Sequence, residues 1–393
     1  MQKIKELLSR LQEPTFEARY PEYNPEDNKV HILYMSPYAN GTGFYRFVIP
    51  SLHLNETATH AAIISNLQGW EGINGQKPTN FELDESGMKL IKWAHYIVFT
   101  MVSTDLRPIF LELLKINSKL RFYMDIDDNL HQLHTLHPLK NSFTSADKMN
   151  LVRNMSLCEF ITSPNEKLLD FYEQRMHDLN PNVLTQLGHY HNNISPYLFD
   201  ENYIKGNWTR PQFDKIRIGM IVNKVHFPNV HAFRRILLQV QEKYGDKIEL
   251  LVMSWDGKCR GKNCFEDITF THIPGAKFPE YFDAIKNMCL DFAIIPLRND
   301  PAFNKYKSFQ RYLEYACFAV PVIVGDSEVY TSVVQHEQTA LVSLSNNQWI
   351  ENISRMIEDA ELRTRIGLAG YNLAWNKYSW TADGNTEKLT TLF

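Results

Sequence analysis

No run among the 393 residues approaches the roughly 18 consecutive apolar residues of a membrane-spanning helix. The charged, amphipathic opening, residues 1–13, lacks the apolar stretch of a secretory signal. Both features predict a soluble, cytoplasmic protein without a membrane span. Cysteine is scarce: Cys158, Cys259, Cys264, Cys289 and Cys317 are odd in number and thinly spread, which excludes a disulfide scaffold and predicts reduced thiols. Cys259, Cys264 and His272 offer metal ligands, but no second cysteine pair completes a zinc site, and a surface loop accounts for them. With 17 glycines and 18 prolines, collagen-like and low-complexity designs are excluded. The 41 basic residues nearly balance the 45 acidic ones, so no global field draws the chain to nucleic acid, and a polyanion would have to meet a local basic patch.

What is present fits a two-domain enzyme-sized protein. A chain of 45.9 kDa exceeds the size at which one core stops growing. Short apolar runs alternate with helical patterns. Residues 30–35, 61–65, 96–101, 122–126 and 160–163 read as buried parallel strands, and a second series follows at 216–222, 248–254, 268–272, 292–297, 321–325 and 340–343. Helices fill the gaps, among them 232–244 and 348–359, the latter with Trp349, Ile353, Met356 and Ile357 on one face. Between the series, 191–213 shows no period and reads as a linker. The expected architecture is α/β: two Rossmann-like, doubly wound domains, 1–200 and 201–375, facing a cleft, with a tail at 376–393 packing back on the first. Ligands in such sheets sit beyond the carboxyl ends of the strands, so the loops after Met35, Met101, Ile126, Val222, Ser254, Leu297 and Gly325 are where chemistry is expected.

The pattern at 305–318 predicts a helix with Phe309, Tyr312, Leu313, Ala316 and Cys317 buried and Lys307, Arg311 and Glu314 along another stripe. A helix start attracts anions, and Lys307 with Ser308 would add a cation and a hydroxyl, making a diphosphate cradle, while Glu314 could accept from a ribose. A solvated face carrying an Arg311–Glu314 pair accounts for the same spacing. Asn223 and Lys224, just after a strand, offer a second phosphate contact, with an exposed lysine as the alternative. In the first half, Gly41 and Gly43 permit close backbone approach to a ligand, and Arg46 could reach a phosphate or acceptor; an ordinary strand-to-helix turn explains the same residues. The strand at 121–126 ends in Asp125-Ile-Asp-Asp-Asn-Leu-His131. Acids crowded at a strand end repel unless they bind something, so Asp127 and Asp128 are candidates for an acceptor contact or base, with a divalent metal as the alternative.

The run from Asp291 to Gly325, with Pro296-Leu297, Phe303-Asn304, Lys307-Ser308, Glu314 and Pro321-Val-Ile323, resembles the nucleotide-sugar-binding core of GT-B glycosyltransferases of the family 4 type. Val329-Tyr330, Leu341-Val342, Trp349 and the stretch 359–365 extend the likeness over roughly 216–378. The resemblance implies a retaining transferase that uses a nucleoside-diphosphate sugar such as a UDP-sugar, needs no obligatory metal, and holds the ribose on Glu314 and the diphosphate on Lys307 and Ser308. It also places a phosphate-contacting loop at Asn223 and Lys224. One position departs: Tyr306 stands where the family's first of two glutamates would fall, leaving Asn304 and Lys307 to meet the donor sugar. The Gly41-Thr-Gly-Phe-Tyr-Arg46 turn, with Pro50 and Leu54 after it, resembles glycosyltransferases encoded by bacteriophages, which implies a hydroxymethylated DNA base as acceptor. A cell-surface glycan, a small molecule, or a non-catalytic nucleotide- or DNA-binding role are the alternatives.

Overall fold

The computed structural model describes every residue except 1, 36–40, 66–82, 134–139, 200–210, 212, 223–226, 260–261, 264, 279 and 298–302. The described chain forms two compact units: Met1–His131, Ser142–Asn193 and Asp383–Phe393 make the first, and Gln132–Asn141 with Ile194–Ala382 the second.

In unit 1 the strands are β1 (Val30–Met35), β2 (His60–Ser65), β3 (Tyr96–Thr100), β4 (Arg121–Asp125), β5 (Phe160–Ser163) and β6 (Gln186–His189). They form one parallel sheet in the order β2-β1-β3-β4-β5-β6. Except for the short β6, the strands are buried along most of their length, as expected where helices cover a parallel sheet. Helix starts between them are set locally: Asp84 accepts from the Gly87 amide, Asn165 from that of Leu168, and Thr144 with Asp147 forms a reciprocal capping box. The short β6 escapes sequence reading because Gln-Leu-Gly-His carries one aliphatic side chain. Its Gly188 is required by contact: a Cβ there would stand 2.6 Å from the Phe160 ring and 2.7 Å from Leu392. Leu392 belongs to the closing segment of the chain, which joins this unit. The Tyr96 hydroxyl donates to the Phe393 carbonyl at 2.8 Å, and the Phe393 ring stacks on Tyr123 at 5.0 Å.

Unit 2 contains β7 (Ile216–Ile221), β8 (Ile248–Met253), a small antiparallel pair β9 (Lys258–Cys259) and β10 (Lys262–Asn263), β11 (Thr271–Ile273), β12 (Phe292–Ile295), β13 (Val322–Gly325) and β14 (Leu341–Ser343). Its main sheet is parallel, in the order β11-β8-β7-β12-β13-β14. The helix Phe227–Tyr244 packs beside Asn346–Glu358, where Trp349, Ile353, Met356 and Ile357 join Phe233, Ile236 and Leu237 in one core. Ile268 and Phe270 are taken into that core ahead of the strand, so β11 starts at Thr271 rather than at 268.

The largest departure from the sequence pattern lies at 305–318. A 3-10 turn spans Asn304–Tyr306, Lys307 is extended at φ −73° and ψ 156°, and the α-helix runs only from Gln310 to Ala316. The apolar spacing was helical throughout, but Asn304 and Tyr306 are both buried, and a tight turn buries both where a continuous helix would turn one outward.

Candidate functional site

In unit 2 the strand order reverses between β7 and β12, and ligands of doubly wound sheets bind beyond the carboxyl ends at such a switch point. A small cavity of about 40 Å³ lies there, lined by Val222, Asn229, Leu297, Arg311 and Tyr330 among others. Space of this size holds little beyond water. A larger cavity of about 390 Å³ shares Asn229, Pro296 and Leu297 and continues along the ends of β13 and β14 to Asp326, Ser345 and Trp349.

The helix Gln310–Ala316 brings Arg311 and Glu314 to the switch point. Glu314 is buried, with 4% of its surface exposed, so its carboxylate is not on a solvated face. It pairs with Arg311 at 2.7 Å and accepts from the Tyr281 hydroxyl at 2.8 Å. Arg311 in turn donates to that hydroxyl. Burial alone would lower the Arg311 pKa, but Glu314 and the surrounding tyrosines outweigh it and hold the guanidinium charged. Burial pushes the Tyr281 phenol well up, with Glu314 adding to it, so the hydroxyl keeps its proton. Lys307 and Ser308 are half-buried in the extended segment before the helix, and the Lys307 ammonium stands 4.5 Å from the Phe303 ring centre. Asn304 is buried, its amide donating to Asn229 at 3.0 Å, and Tyr306 is buried beside it. The structure thus gathers Asn304, Lys307, Ser308, Arg311 and Glu314 into one stretch. Asn223 and Lys224 fall outside the described residues. Tyr281 and Asn229 were not legible as partners, because nothing in their local pattern distinguishes them from core residues.

In unit 1, Gly41–Gly43 forms a single helical turn that runs into a π-helical segment, Phe44–Val48. Gly41 is exposed and meets nothing within 4 Å of where a Cβ would stand; Gly43 is buried. Between them the Thr42 hydroxyl donates to Asp127, tying the glycine turn to the loop after β4. Asp127 and Asp128 are both half-buried there.

Arg46 requires a correction. It is fully buried, and its guanidinium donates to Asp125 at 2.7–3.0 Å, to the Tyr190 carbonyl at 2.8 Å and to Asn192 at 3.2 Å. Its flat face lies 3.6 Å from the Tyr190 ring centre. All three guanidinium nitrogens donate to the protein, so Arg46 anchors the turn instead of reaching a phosphate. The same pair accounts for the acid that ends β4: Asp125 is fully buried and also accepts from Thr162 at 2.6 Å. Burial lowers the His131 pKa to about 4, and its ring packs edge-on against Tyr172, which marks it as a neutral, structural histidine.

No protein-family model and no curated protein sequence matches the chain. Solved structures do match it. Sucrose-phosphate synthase from Thermosynechococcus elongatus is 12% identical, with a TM-score of 0.55 over 93% of this chain and 98% of that one. HepE from Anabaena, solved with UDP, is 11% identical, with a TM-score of 0.55 over 93% and 99%. TarM is 12% identical, with a TM-score of 0.51 over 80% and 58%. The fold is GT-B. In GT-B terms, unit 2 carries the switch-point cluster and unit 1 the glycine turn with its aspartates. Among the described residues no group of three or more His, Cys, Asp or Glu side chains is arranged for a metal, and no described helix is long and apolar enough to cross a membrane.

Proposed function

We propose that the chain is a glycosyltransferase that moves a sugar from a nucleoside diphosphate, a UDP-sugar, to a hydroxyl acceptor with retention of configuration. The observation that carries this reading is the buried Arg311–Glu314–Tyr281 cluster at the GT-B switch point, with Lys307 and Ser308 next to it. HepE has been solved with UDP, with UDP and glucose, and with UDP-glucose, which supports the choice of donor. Glu314 accepts from the ribose. Lys307, Ser308 and Arg311, joined by Asn223 and Lys224, hold the diphosphate and stabilise the charge that develops as it departs. Asn304 takes the donor sugar in place of a carboxylate at Tyr306. In unit 1, Gly41 and Gly43 allow close approach, and Asp127 and Asp128 meet the acceptor or take its proton. No metal is obligatory in this scheme, because cations supply the stabilisation. The free thiols Cys158, Cys289 and Cys317 support work in a reducing, cytoplasmic compartment.

The test is a thermal-shift panel of UDP-, GDP- and ADP-sugars. A ligand at 100 times its dissociation constant stabilises by about 2.7 kcal/mol, and Glu314→Gln should remove most of that shift. If no nucleotide sugar moves the melt, the reading fails. Burial of Tyr306 at the departed position favours one second reading, a non-catalytic nucleotide binder; it predicts binding without release of nucleoside diphosphate. For the acceptor, a hydroxymethylated base in phage DNA is the proposal, since the turn 41–46 resembles phage enzymes. Transfer to duplex DNA should then fall steeply between 50 and 200 mM salt, as roughly expected for phosphate contacts. Activity flat in salt points to a glycan or small-molecule acceptor.

A further inference from the structure

Glu314 and Arg311 lie one turn apart on the same short helix, so their 2.7 Å pair does not by itself fix where the carboxylate points. Tyr281 comes from a different helix, Glu280–Asn287, and its ring is wedged against Phe278 at 4.8 Å and Phe282 at 5.6 Å. Its hydroxyl accepts from Arg311 and donates to Glu314 at 2.8 Å. The donors therefore run in one direction, guanidinium to phenol to carboxylate. Each bond polarises the next in a buried setting, and the carboxylate is tied to a second element of the fold.

We infer that Tyr281 is a positioning residue for nucleotide recognition: its hydroxyl holds Glu314 in the orientation that accepts from the ribose, and so sets the preference for ribose over deoxyribose. The inference rests on the nucleotide reading above. A site built to accept from a hydroxyl rejects the analogue lacking it, since the buried acceptor would be left unpaired. That rejection requires the acceptor to stay in place. With phenylalanine at 281, Arg311 loses an acceptor, and Glu314 is free to follow the guanidinium.

The experiment measures dissociation constants of UDP, GDP and ADP by calorimetry. The diphosphate that binds is then compared with its 2′-deoxy and 3′-deoxy analogues, on the full chain as wild type, Tyr281→Phe and Phe278→Leu. Wild type should disfavour at least one deoxy analogue. Tyr281→Phe should weaken the ribonucleotide about tenfold and leave that analogue nearly unchanged, so that discrimination shrinks by about the same factor. Phe278→Leu loosens the same packing without touching the hydroxyl; it should lower the melting temperature but keep the discrimination. A Tyr281→Phe protein that folds and discriminates as wild type does overturns the assignment of Tyr281, with the nucleotide site intact. Equal binding of ribose and deoxyribose forms by wild type overturns the role of Glu314 as well. Absence of binding by all three diphosphates removes the nucleotide reading and this inference with it.

Discussion

Arg46→Met should cost unit 1 about 3–5 kcal/mol, the usual penalty for removing one partner of a buried ion pair. Neither Arg46 nor Asp125 has any exposed surface. Burial alone would lower the Arg46 pKa, yet the field of Asp125 raises it above the ordinary value, so the guanidinium stays charged. Methionine keeps much of the stem but removes every donor, and Asp125 is left with Thr162 at 2.6 Å and a weak contact from the Tyr190 hydroxyl at 3.5 Å. That is too little for a desolvated carboxylate. For a unit of this size, about 2–4 °C of melting temperature follows each kcal/mol, so the melt should fall by roughly 6–20 °C. Asp125→Leu should be similarly harmful, whereas the double variant Arg46→Met/Asp125→Leu should cost well under the sum, because neither charge is then stranded. Thermal melts give the size of the effect, and hydrogen exchange of the β4 and β5 amides assigns it to unit 1. If Arg46→Met melts within about 1 kcal/mol of wild type and instead weakens a ligand, the guanidinium is a ligand contact and the anchoring argument is wrong.

Burial lowers the His53 pKa to about 4, so the folded protein resists a proton that the unfolded chain accepts below about 6.5. Stability tied to this group is therefore complete above pH 6.5 and is lost as the pH falls towards 4; His53→Gln should flatten the stability profile over that window, and an unchanged slope in urea titrations would count against it. A methyl group at Gly325 would stand 2.4 Å from the Leu297 carbonyl oxygen, and a backbone atom cannot rotate away. Gly325→Ala should thus destabilise unit 2 by about 1–3 kcal/mol, and an unshifted melt would mean that β12 and β13 part easily. Because Thr42 donates to Asp127, Thr42→Val should remove that tie and lower kcat with little change in donor affinity; a variant with full turnover would detach the glycine turn from the chemistry.

The legible and illegible parts of this fold divide by the range of the interaction that decides them. Periodicity is local, and it found the strands that carry aliphatic runs as well as the Trp349 helix face. It passed over β6, whose single leucine gives no pattern and whose glycine is demanded by Phe160 and by Leu392 from the far end of the chain. Periodicity also drew an unbroken helix from 305 to 318, because spacing reports which residues are buried and not whether a turn intervenes. The site divides in the same way. Lys307, Arg311 and Glu314 announce themselves as charges at helical intervals, but whether Glu314 faces water depends on Tyr281, 33 positions away. Arg46 shows the converse: an arginine after a glycine turn looks like a ligand contact until Asp125, 79 positions on, is found opposite it. The crowded acids after β4 held the clue, since like charges there needed a counterion. A cation already in the chain, Arg46, meets that need for Asp125 before any ligand is invoked.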